Sequence, residues 1–106
     1  MSAPALYHGT RVPFGRGGLL LPAADTGSER RPGSRDDGAW VYMTPDPEHA
    51  EWYALNTPTR GRTLPRVLTV RPLSIPEPDP STYDGEHGMQ WRCRDGASVL
   101  AVRIVR

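Results

Sequence analysis

The chain is 106 residues long and carries 13 basic against 12 acidic side chains, for a formal net charge of +1. Its 11 Gly and 12 Pro, set against few Leu, Ile, Val and Phe, point to one loop-rich domain over residues 1–106 with a thin core. No apolar run is longer than the five residues 39–43, which excludes a membrane helix; a single Cys93 excludes an internal disulfide and a thiolate zinc site.

All 13 basic residues are Arg, as the codon bias of a GC-rich genome would give. The absence of lysine removes Schiff-base chemistry and a Walker-type phosphate loop. No charged stretch followed by an apolar one opens the chain, and the lone cysteine fits a reducing compartment, so a cytoplasmic address is expected.

In chain order, residues 5–8 are short and apolar, meet Gly9, and read as a strand ending in a turn. Residues 11–38 are dominated by Gly, Pro, Arg, Asp and Ser, and read as a long loop anchored through its three leucines and mobile over 27–38. Residues 39–44, aromatic and β-branched, read as a second strand. Helix signals follow at once: Asp46 to cap, Pro47 for the first turn, Glu48 at the positive end of the dipole, and Ala50, Tyr53 and Ala54 on one face, predicting a helix over Pro47–Asn56. Residues 66–71 form a compact strand between prolines. Residues 75–88 are too rich in Pro and acid to be regular throughout, and 89–92 make a short strand. Residues 97–105 alternate, with Leu100, Val102 and Ile104 on one face. The order predicts an α+β domain of mostly antiparallel strands with one or two short helices.

Three places carry residues suited to chemistry: Tyr7-His8-Gly9-Thr10, Val41-Tyr42-Met43-Thr44 with the helix after it, and Glu77-Pro78-Asp79-Pro80. Each alone has a plain structural explanation: a hydrogen-bonded strand-end His, a core Tyr, a solvated acidic turn. Together they say more. Gly9 lets a ligand approach the main chain, whose N–H and C=O match the acceptor and donor of a carboxamide. The imidazole beside it suits a ribose hydroxyl, and Tyr42 and Tyr53 are spaced to hold a flat ring between them.

These motifs resemble the His-Tyr-Asp signature of the small rifamycin ADP-ribosyltransferases. The likeness continues through Ala50-Glu51-Trp52-Tyr53-Ala54 and Arg66-Val67-Leu68-Thr69-Val70 to Asp79-Pro80, and more loosely to Trp91-Arg92-Cys93-Arg94 and the last strand. The resemblance implies a small split β-sheet fold and a mono-ADP-ribosyltransferase that uses NAD as substrate and releases nicotinamide. It implies His8, Tyr42 and Asp79 as the catalytic set, with His8, Gly9, Thr10, Tyr42, Trp52 and Tyr53 around the dinucleotide. Glu77 stands as a rival to Asp79, which is preferred because it directly precedes Pro80.

The acceptor is expected to be a rifamycin-type antibiotic, a protein or a nucleic acid. An RNA 2′-phosphotransferase and a non-catalytic NAD- or ADP-ribose-binding domain of a toxin or phage system are the alternatives. No metal is expected, because His49 and His87 lack partners at ligand spacing. If a strand runs through both, Arg92 and Arg94 point to the same side, within reach of a phosphate. A core this thin also leaves room for a homodimer.

Overall fold

The computed structural model describes residues 5–22, 40–56, 63–84 and 88–105. Among the described residues, seven strands and one helix follow one another as β1 (Leu6–Thr10), β2 (Leu19–Leu20), β3 (Val41–Met43), α1 (Pro47–Asn56), β4 (Arg66–Pro72), β5 (Glu77–Asp84), β6 (Gly88–Cys93) and β7 (Ala97–Ile104). They form a mixed α+β domain with two sheets, ordered β1-β4-β7-β2 and β3-β6-β5. Every strand pairing in them is antiparallel. The helix occupies the span expected from its caps. Asp46 Oδ1 accepts the Glu48 N–H at 2.9 Å, an N-cap bond worth about 1 kcal/mol.

The sheets are joined through an isolated bridge, Tyr7 to Thr44, in which both backbone bonds are made at 2.8 Å. Their inner faces enclose the main core: Leu20, Leu68, Val70, Ala97 and Val99 from one sheet, Val41, Met43 and Cys93 from the other. Helix α1 lies on the opposite face of the first sheet, where Ala50 packs with Val67, Val105 and Tyr7.

Three sequence expectations are corrected. The Pro- and acid-rich stretch contains an eight-residue strand, β5. It is an edge strand, and β6 is its neighbour. Tyr7 and Thr44 exchange both bonds, so Tyr42, two residues before Thr44, also aims its backbone at β1. Arg92, opposite Tyr42 and Glu77, therefore turns to β5, and Pro78 lacks an N–H where none is needed, on the outer edge.

The alternation of the last strand is broken by a bulge. Thr69 pairs with Ala101 but Val70 with Val99, which leaves Leu100 unpaired on β7 and 46% exposed. The extra residue resets the phase: Ala97 and Val99 face the core before it and Val102 after it. Of the three leucines expected to anchor the long loop, Leu20 alone is buried, paired with Ala97, whereas Leu19 and Leu21 are exposed. The expected mobile span 27–38 lies outside the described residues.

Candidate functional site

The opening between β1 and β3 follows from the register. Continuing the ladder past Tyr7–Thr44 would set Gly9 opposite Tyr42. Instead the His8 ring reaches across, and its Nδ1 lies 2.6 Å from the Tyr42 carbonyl oxygen. A carbonyl only accepts, so Nδ1 carries the proton and the neutral ring presents a lone pair at Nε2. Burial holds the His8 pKa below its usual 6.5, partly opposed by the bond to Tyr42. Gly9 pairs with Val67 as Tyr7 does with Thr69, so by strand alternation its N–H and C=O point from β1 into the same opening.

Side chains on the outer face of the second sheet stand in two rows. The register sets Tyr42 beside Arg92 and Arg92 beside Glu77; the next row sets Gln90 beside Asp79. Arg92 binds Glu77 Oε1 through Nε at 2.9 Å and through Nη2 at 2.8 Å. Its Nη1 lies 3.6 Å from Asp79 Oδ2, an ion pair beyond hydrogen-bond length. Burial disfavours the Arg92 charge, but the Glu77 bond, the fields of Asp79 and Glu77 and a bond with the Tyr42 side chain outweigh it, and its pKa rises above the usual value. The two acids differ in access: the side chain of Asp79 is 8% exposed and that of Glu77 52%. From α1, Tyr53 comes over this face, where its hydroxyl accepts a 2.5 Å bond from Gln90 Nε2.

Sequence-predicted residues thus fall into two groups. His8, the Gly9 backbone and Tyr42 meet at the opening, while Asp79, Glu77 and Tyr53 line the face beside it. Of the other two, the buried Thr10 hydroxyl accepts the Val12 N–H at 3.0 Å, and Trp52, 46% exposed, sets its ring edge-on to Tyr53 at 5.2 Å. The reason for Gly9 is also corrected. A Cβ there would lie 1.9 Å from the Ala50 carbonyl oxygen, so glycine is required for the close approach of α1, whatever binds to its backbone.

Gln90 and the bridging part played by Arg92 were missed. Alternation along 89–92 could have put both on one face, but the partners of that face depend on register. Arg92 and Arg94 do share a side, with their guanidinium carbons 4.2 and 4.3 Å from the Trp40 ring centre. Cys93 is buried with its sulfur 2.9 Å from Ser74 Oγ. Among the described residues no three His, Cys, Asp or Glu side chains gather to hold a metal, and no helix is long and apolar enough to cross a membrane.

The arrangement offers a neutral imidazole acceptor, a backbone donor and acceptor, two tyrosine rings and a buried carboxylate. Such a set suits a ligand that has a carboxamide, a flat ring and sugar hydroxyls, and that develops positive charge when it reacts. Comparison with known proteins gives no match to any family model and none to a curated protein.

Proposed function

We propose that this chain is a mono-ADP-ribosyltransferase of split β-sheet type, taking ADP-ribose from NAD and releasing nicotinamide. The observation that carries the reading is the opening between β1 and β3, where His8 takes the Tyr42 carbonyl and the Gly9 backbone points inward. Gly9 would take the carboxamide, Tyr42 and Tyr53 the nicotinamide ring, and His8 Nε2 would accept from a ribose hydroxyl. NAD in this role is a substrate.

In the reaction the bond from ribose C1′ to the nicotinamide nitrogen breaks, and its electron pair neutralises the pyridinium. A lone pair of the acceptor forms the new bond to C1′. Asp79 faces the positive charge that grows on the ribose, stabilising the transition state more than the ground state. It also takes the proton that the acceptor loses. Its burial favours it over the more exposed Glu77, because charge–charge interaction strengthens where water is excluded.

The ion pair of Asp79 with Arg92 favours one second reading, a domain that binds NAD without turnover. Nicotinamide release from NAD separates the two. Asp79→Asn is expected to keep NAD binding and to lose turnover by about 10²–10³-fold; full turnover in that variant overturns the assignment. The acceptor is then sought by mass shift on rifampicin and by labelled NAD with cell protein and with nucleic acid.

A further inference from the structure

We infer that Arg92 is a positioning residue that fixes the Tyr42 ring and the Asp79 carboxylate relative to one another; the inference rests on the NAD-transferase reading above. Tyr42 and Asp79 stand on β3 and β5, with β6 between them. Two interstrand steps put their strands about 10 Å apart, and the register sets Asp79 one row further along, too far for direct backbone-to-backbone contact. A residue of β6 can reach both, and the register puts Arg92 opposite Tyr42 on one side and Glu77 on the other. Its planar fork suits this duty, having five donors in fixed directions.

Nε and Nη2 are held by Glu77, Nη1 turns to Asp79, Tyr42 stands beside the same residue on the neighbouring strand, and Trp40 lies against the guanidinium at 4.2 Å. Glu77 then acts as the anchor of Arg92. This use competes with the phosphate contact expected from sequence, because the fork is already directed at two carboxylates. A purely structural role is disfavoured too, since an exposed pair such as Arg92 with Glu77 adds little stability.

The test compares the full chain with R92Q, R92K and E77Q by calorimetric NAD binding, nicotinamide release and thermal unfolding. R92Q is expected to lower kcat for nicotinamide release about 10²-fold, with a rise in Kd for NAD of about a few-fold at most and an unfolding midpoint nearly unchanged. R92K, which keeps the charge without the fork, is expected to fall between wild type and R92Q; E77Q is expected to show a smaller loss of the same kind. Unchanged kcat in R92Q overturns the inference, as does a loss of NAD affinity that accounts for the loss of rate. If R92Q fails to fold, R92K with wild-type kcat has the same force. A wild-type chain that neither binds nor cleaves NAD overturns the transferase reading, and the role of Arg92 with it.

Discussion

His8 joins protonation to both folding and ligand recognition. Burial lowers its pKa in the folded chain below the usual 6.5, so on acidification the unfolded chain binds the proton first. The neutral ring's contribution to stability is therefore full above 6.5 and is lost as pH falls through 6.5 toward the folded value. Protonation would also remove the Nε2 lone pair that the proposed ribose contact needs. Urea unfolding from about pH 5 to 8 is expected to show wild type losing stability relative to His8→Gln on the acid side. A stability difference that stays flat over this range would count against the burial effect. At this scale the sequence revealed that His8 could accept and that Gly9 could offer its backbone. It did not reveal the Tyr42 carbonyl as the partner that sets the tautomer, since that atom arrives from 34 residues away.

At the scale of elements, α1 was legible because its signals are local. Asp46 caps it through the Glu48 N–H, and the alanines form one face. Its far end was less legible: Arg11 donates to the Ala54 carbonyl at 3.0 Å and to the Thr63 carbonyl at 3.2 Å, closing a helix with no basic residue in its own last turn. The contact of α1 with β1 is the tightest constraint. Gly9→Ala would place a methyl carbon 1.9 Å from the Ala50 carbonyl oxygen, and backbone cannot yield as a side-chain tip does. Overpacking of this kind commonly costs about 1–3 kcal/mol. Denaturant unfolding of Gly9→Ala is expected to show a loss at or above the upper end of that range, and an unchanged midpoint would mean that α1 is free to move away. Strand β5 was misread because proline content was weighed without knowing which edge of the strand faced a neighbour.

For the molecule as a whole, the candidate site belongs to neither sheet alone. Tyr7 and Thr44 tie the sheets on one side of the opening, and His8 with Tyr42 spans it. A ligand seated there contacts both sheets in the folded chain and loses them together on unfolding, so binding and stability are linked by mass action. At 100 times its Kd, NAD is expected to stabilise the fold by about 2.7 kcal/mol, read as a raised unfolding midpoint. His8→Ala is expected to abolish that rise; a rise that survives in His8→Ala would place NAD elsewhere.

The sequence by itself determined the class of the domain, the span of its helix and the main strands, because capping, alternation and turn chemistry act over a few neighbouring residues. Tertiary structure alone decided that a bulge at Leu100 resets β7, that Gly9 serves helix packing, and that Arg92 stands between Tyr42 and Asp79. Those depend on register, and register is fixed by how distant strands bury their faces against one another.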